Sequence, residues 1–293
     1  MRIYSAVAEA AGLGSLETLN QPGSAPPATI PRAGLGSLET IDQPGPAVPA
    51  TILRVAWRAF ALLFFSICAL IEIGLTIPFV RHDRRTHART EWLHRWCSFA
   101  CGILGLRLTL YGSMPRAGLL VCNHLSYLDI ILLSSIRPCI FVAKRDVAAW
   151  PLFGWLARAG STIFIDRHRR IAAGGVVDLI REAISSDSLV VLFPEGTSSD
   201  GSSVLPFKSA LLEPALQLGC PITAGAIDYS LPRGSVADEV CYWRDMTLVP
   251  HLLNLLSKTG IKSKLNFKKF EPDGRNRKEL ARELQREIIR LRL

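Results

Sequence analysis

The sequence predicts an α/β fold, a mostly parallel sheet flanked by helices, preceded by N-terminal membrane-associated helices. Three observations predict it. Short apolar runs alternate with helix-length stretches from Leu108 onward, a long apolar segment lies before them, and four polar segments each follow directly on an apolar run.

The first 54 residues stand apart. Ala11–Arg32 and Ala33–Arg54 are tandem copies of one 22-residue unit, identical at 17 positions and rich in Gly, Pro, Ala, Ser and Thr. Such a stretch buries too little apolar surface to offset its ordering entropy, so residues 1–54 are expected to be a disordered tail. Two copies are too few for a solenoid. Residues 55–107 are expected to form a membrane-associated helical region, and residues 108–293 the α/β domain.

Ala59–Val80 has 22 residues and one charge, Glu72. As a helix it would be about 33 Å long, enough for a ~30 Å hydrocarbon core. It lies too far from the N-terminus for a secretory signal. Glu72 in mid-bilayer would cost roughly 2.5–3.5 kcal/mol. Arg54 and Arg58 precede the segment and a stronger basic run follows it, which blurs orientation. A span and a helix half-buried in one leaflet both fit. Trp92–Leu110, apolar but interrupted by His94, Arg95 and Arg107, reads as a second, interfacial helix.

Beyond Leu108 the expected strands are Leu119–Cys122, Ile140–Ala143, Thr162–Ile165, Leu189–Phe193, Ile222–Ile227 and Leu265–Phe270. Tyr127–Ser135, Leu152–Ala159, Ile171–Ser185, Ser209–Leu218 and Arg277–Leu291 read as helices.

The formal net charge is +9. Basic chains meet nucleic acid, anionic membrane or phosphorylated substrates. Arg81, Arg84, Arg85, Arg89 and Arg95 follow the apolar segment, and Lys258, Lys262, Lys264, Lys268 and Lys269 form a second cluster. No nucleic-acid-binding motif accompanies them, so no nucleic acid partner is expected. Seven cysteines without a C-x-x-C pair give neither a disulfide framework nor a zinc site, and no metal is expected.

The four polar segments carry the candidate chemistry. In Asn123-His124-Leu125-Ser126-Tyr127-Leu128-Asp129, His124 is a base for removing an alcohol proton and Asp129 its carboxylate partner. Five residues apart on one helix they would diverge by about 140°. They can meet if His124 lies in the turn before the helix and Asp129 in its first turn; Ser126 is the expected N-cap, which puts Asp129 at the third helical position. Ser126-x-x-Asp129 is equally a capping-box pattern. In Phe193-Pro194-Glu195-Gly196-Thr197-Ser198, Pro194 ends the strand and Gly196 admits close backbone approach. Exposed N–H groups and the Thr197 hydroxyl suit a phosphate or an acceptor hydroxyl, with Glu195 orienting it; a polar surface turn is the alternative. Arg167, in Ile165-Asp166-Arg167, suits a phosphate or simply a solvated helix start. Pro221-Ile222-Thr223-Ala224-Gly225-Ala226 reads as a buried strand. The remaining histidines, His82, His87, His94, His168 and His251, are assigned no role.

Taken in order, these segments resemble the glycerolipid acyltransferase family that includes the 1-acylglycerol-3-phosphate acyltransferases: N-H-x-x-x-x-D, an I-D-R-like triplet, F-P-E-G-T and a late proline-led strand. The resemblance covers Leu108–Asp228 and extends more loosely through Tyr242–His251 and Phe270. It implies His124 as general base with Asp129 as partner. Asn123, Arg167, Glu195, Gly196, Thr197 and Lys208 become substrate-binding candidates, and Pro221 shapes the acyl-donor site. It implies no cofactor beyond acyl-CoA or acyl-carrier protein as co-substrate, and a membrane location with the site on the cytoplasmic face. The reaction implied is acylation of a lysolipid hydroxyl in phospholipid biosynthesis, first 1-acylglycerol-3-phosphate giving phosphatidate. Acylation of another lysolipid such as lyso-ornithine lipid, or non-catalytic lipid binding, is the alternative. Two departures matter. Ser198 stands where the family has Arg, which weakens the case for a bare phosphate head group unless Lys208 or Arg167 compensates. Ser161 falls where the family has Gly.

Overall fold

The computed structural model describes residues 48–150, 152–165, 172–271 and 276–293. Most of the tandem duplication, together with Arg167 and His168, lies outside the described residues. Helix α1, Val48–Thr76, begins inside the second repeat copy, earlier than the boundary expected at residue 54. Its 29 residues make it long and apolar enough to cross a membrane. One face is buried through Ala61, Ala69 and Ile73, while Trp57, Phe60, Phe64, Ile67, Ile71 and Leu75 are exposed on the other. A contiguous apolar face of that size marks a membrane or partner surface.

The α2 helix, Arg85–Leu104, runs back along α1. The indole N–H of Trp92 donates to Ala69 O at 3.0 Å. Arg95 and the Trp96 indole N–H donate to the two carboxylate oxygens of Glu72 at 2.6 and 2.7 Å. The one charge of the apolar segment is therefore paired inside the helical hairpin. The expected interfacial helix Trp92–Leu110 needs correction: α2 stops at Leu104, with Gly105 left-handed at φ 70° as its cap. The chain then turns into strand β1, Leu106–Tyr111. A glycine C-cap ends the helix, and the alternation LRLTLY suits an edge strand.

The remaining strands are β2 Gly118–Cys122, β3 Ile140–Lys144, β4 Ile163–Ile165, β5 Leu189–Leu192, β6 Ile222–Ser230 and β7 Ile261–Phe270. The sheet order is β1-β7-β6-β2-β5-β3-β4. Five strands, β6 through β4, run parallel; β6 and β7 pair antiparallel, and β1 follows β7. The sheet is thus mostly parallel, as predicted. β7 starts four residues earlier than expected, at Ile261, because IKSKLNF alternates: Ile261, Ser263, Leu265 and Phe267 are buried. Part of the second basic cluster is therefore the outer face of a strand, and Lys268 pairs there with Glu287 at 2.6 Å.

Helices cover both faces: α3 Leu128–Ile136, α4 Phe153–Ala159, α5 Ala172–Ser185, α6 Glu213–Leu218, α7 Val236–Glu239, α8 Leu248–Ser257 and α9 Arg277–Arg292. The period-2 pleat divides the core in two. Leu120 and Cys122 of β2 face a cluster with Trp92, Leu128, Leu132 and Leu255. Leu119 and Val121 face a cluster with Ile180, Leu212, Leu280 and Leu284. Being covered on both sides, β2 is apolar throughout. Ser161, at the family's glycine position, holds φ 63°, the left-handed conformation a glycine takes without strain.

Candidate active site

Three adjacent parallel strands define the site: β2 and β5 end side by side, and β6 runs on past them. β2 leads into Asn123 and His124, β5 into Phe193–Ser198, and β6 runs on to Asp228 and Tyr229. This is the carboxyl edge, where open α/β sheets bind ligands.

His124 lies in the turn before α3, as its pairing with Asp129 requires. Its Nδ1 is 2.8 Å from Asp129 Oδ2. The same oxygen accepts the backbone N–H groups of Leu125 and Ser126 at 2.7 and 3.0 Å. Oδ1 accepts the Tyr229 hydroxyl at 2.7 Å. Four donors converge on a carboxylate with no solvent exposure. A carboxylate whose oxygens accept from backbone N–H groups and a hydroxyl has no hydrogen to give. Nδ1 of His124 therefore carries the hydrogen, leaving Nε2 as the basic nitrogen. Its ring stacks on Phe193 with centroids 4.2 Å apart, and Phe193 stacks in turn on Phe141.

The expectation that Ser126 caps α3 is not met. The helix starts at Leu128 without a side-chain cap, and the buried Ser126 hydroxyl has no partner among the described residues. Asp129, in the first turn, instead folds back onto the N–H groups of Leu125 and Ser126 in the turn ahead of the helix.

The Phe193–Ser198 turn is tied to the histidine turn. Ser199 N–H donates to His124 O at 3.0 Å. Glu195 accepts His124 N–H at 2.9 Å on one oxygen and Leu205 N–H at 3.2 Å on the other. Burial pushes its carboxyl up to about 7, against the opposing pull of those two N–H groups. From an unfolded value near 4.5 the folded protein retains the proton while the unfolded chain loses it. The stability of wild type relative to Glu195→Gln should therefore fall as pH rises from about 4.5 to about 7, then level off. Melting temperatures of both proteins at pH 5 and 7.5 check this; a constant difference would show that Glu195 titrates normally.

The sequence-predicted residues separate into groups. His124, Gly196 and Thr197 line one cavity of about 610 Å³. Gly196 is left-handed at φ 72°. Asn123 is buried and engages the backbone of Ile227 at both ends of its amide, at 2.9 and 2.8 Å, which ties β2 to β6. Glu195 holds the two turns together from behind. Lys208 is exposed and outside the cavity lining; its N–H donates to Pro194 O at 2.8 Å. Pro221 is not brought to the site. It sits at the amino end of β6, where its carbonyl accepts Leu119 N–H at 2.9 Å, a strand's length from His124. Sequence reasoning missed Tyr229, which completes the Asp129 shell, and the cations Lys144 and Arg244, which line the cavity. Lys144 ends β3, so the strand-end rule that found the other segments could have found it.

From His124 the cavity extends to apolar residues of α1 and α2, among them Leu62, Phe65, Trp92 and Trp96. Such a space suits an acyl chain. Among the described residues no group of three His, Cys, Asp or Glu side chains is placed to hold a metal. What the geometry can do is acid–base chemistry. Nε2 is placed so that it could take the proton of an alcohol whose oxygen attacks a thioester carbon, with Asp129 beside the resulting imidazolium; collapse of the tetrahedral adduct would break the C–S bond, and the departing sulfur would receive that proton.

Fold and site together define an enzyme that acylates hydroxyl groups of lipids. The comparisons agree. Residues 108–228 match the acyltransferase family model. The chain is 36% identical over 218 residues to the lyso-ornithine lipid O-acyltransferase of Rhizobium meliloti, covering 69% of this chain and 75% of that one. It is 30% identical to the protein of the same description in Brucella abortus, covering 77% and 92%. It is 32% identical over 143 residues to the 1-acyl-sn-glycerol-3-phosphate acyltransferase of Neisseria meningitidis, covering 46% and 56%. The crystal structure of the 1-acyl-sn-glycerophosphate acyltransferase PlsC from Thermotoga maritima shares the fold: TM-score 0.57, 22% identity, 81% of this chain and 95% of that one. The chain belongs to this acyltransferase family and is an O-acyltransferase of the 1-acylglycerol-3-phosphate acyltransferase type.

Proposed function

We propose that the acceptor is lyso-ornithine lipid, acylated from acyl-CoA or acyl-carrier protein. The observation that carries this reading is Ser198. At the position of the family's arginine, its hydroxyl donates to the Tyr242 carbonyl. The turn thus presents a backbone-tied hydroxyl where a fixed cation would meet a phosphate monoester. The Rhizobium and Brucella relatives, described as acting on lyso-ornithine lipid, support the same reading. A second reading, 1-acylglycerol-3-phosphate giving phosphatidate, is favoured by Lys144 and Arg244 at the cavity. Purified protein given labelled acyl-CoA and both lysolipids decides between them. Lyso-ornithine lipid is expected to show at least about tenfold higher kcat/KM, a difference near 1.4 kcal/mol. The reverse order would transfer the assignment to the phosphate lipid.

We further propose that α1 lies along one leaflet, with the site on the cytoplasmic face. Arg54 donates to Ser257 O at 2.9 Å and Arg58 to Lys258 O at 2.7 Å, both at the end of α8. About 27 Å further along α1, Glu72 is held by α2. A lone crossing helix would carry one end ~30 Å from the rest of the chain, whereas here one end bonds to α8 and the region of Glu72 bonds to α2. Leu53→Cys and Phe79→Cys should react with a membrane-impermeant thiol reagent from the same side of sealed vesicles. Labelling from opposite sides would mean a span.

A further inference from the structure

His251, which the sequence left without a role, is buried in α8 between two turns of the site. We propose that His251 is a positioning residue that, through Tyr127, fixes the cavity wall beside His124.

Its Nε2 lies 3.0 Å from the Cys241 carbonyl, and its Nδ1 lies 3.0 Å from the Tyr127 hydroxyl. A carbonyl only accepts, so Nε2 carries the hydrogen and Nδ1 accepts from Tyr127. The imidazole thus acts as a rigid strut with one donor and one acceptor, both used. Burial lowers its pKa and keeps the ring in this neutral form. Tyr127 stands between His124 and Asp129 in the chain, at the mouth of α3, and lines the cavity. Tyr242, beside Cys241, packs edge-on against both Tyr127 and His251, with centroids 5.5 and 5.3 Å away. Its N–H donates to Leu125 O at 2.8 Å, and its carbonyl accepts from Ser198. One imidazole therefore links the turn that carries the base to the turn that faces the acceptor. Its loss frees Tyr127 to rotate into or away from the reacting carbonyl.

The inference rests on acyl transfer by His124, not on which lysolipid accepts. The full chain is assayed with both lyso-ornithine lipid and 1-acylglycerol-3-phosphate. A wrong acceptor then shows in the wild-type ratio, and a wrong dyad in the ratio of variant to wild type. Tyr127→Phe keeps the ring and removes only the hydroxyl; it is expected to lower kcat about tenfold with both KM values within about twofold, as small misplacements do. His251→Leu should do the same, and the double variant should be no slower than the slower single. Wild-type kcat in Tyr127→Phe, or losses that multiply in the double variant, would overturn the proposal. Tyr127→Phe decides the matter alone if His251→Leu does not fold.

Discussion

Alanine in place of His124 is expected to cut kcat by about 10²–10⁴-fold, the range a positioned general base supplies, with little change in KM. The side chain lies at the cavity and is one-fifth exposed, so its removal opens no sealed core. What disappears is the acceptor for the alcohol proton and the donor for the departing sulfur. Both roles belong to the transition state, so the loss falls on kcat rather than on binding. Single-turnover acylation of a saturating lysolipid measures it. Turnover within about threefold of wild type would mean that another group takes the proton.

Asparagine in place of Asp129 should lower kcat by roughly 10²–10³-fold and also lower the melting temperature. The two effects have separate origins. With its amide oxygen toward His124, Leu125 and Ser126, the new side chain retains three acceptor contacts, and the Tyr229 hydroxyl can turn to accept from the amide nitrogen. The tautomer of His124 therefore survives, and the loss is smaller than where a similar exchange reverses the tautomer. The missing quantity is negative charge beside the imidazolium. Stability falls because bonds to a charged acceptor, about 1.5–3 kcal/mol each, become neutral ones. Because base and carboxylate act as one unit, the double variant His124→Ala, Asp129→Asn should be little slower than His124→Ala alone. An asparagine variant with wild-type kcat would reduce Asp129 to a structural role.

Much of this was legible in the sequence because the site is local. His124 and Asp129 are five residues apart, and the strand before them is short enough to place the histidine in a turn. The alternation of apolar runs gave the sheet and its parallel majority. What was not legible came from pairing at a distance. Tyr229 reaches Asp129 across 100 residues, and nothing in β6 distinguishes it from a core tyrosine. Ser126 matches a capping pattern locally, but only the return half of it forms: Asp129 accepts from Ser126 N–H, and the Ser126 hydroxyl makes no bond to α3. Leu106–Leu110 reads as the end of a helix because its apolar residues continue those of α2, and Gly105 is what marks the break. The antiparallel turn of β7 against β6 depends on strand order, which periodicity does not encode. Asn123 and Pro221 belong to the expected blocks, yet the first is bound to the backbone of Ile227 and the second lies at the far rim of the sheet.

The two arginine fingers that α1 places on the end of α8 bear on how this enzyme could be taken apart. The segment that greases the protein into lipid also plugs bare carbonyls of the catalytic body and supplies one side of the chamber where the acyl chain would rest. Trimming it away would not release a soluble catalyst; it would leave a half-walled vessel whose strut, α8, is loose at one end. Anchor and reactor are here a single casting, and solubility would have to come from repainting the outer face of α1 rather than from deleting it.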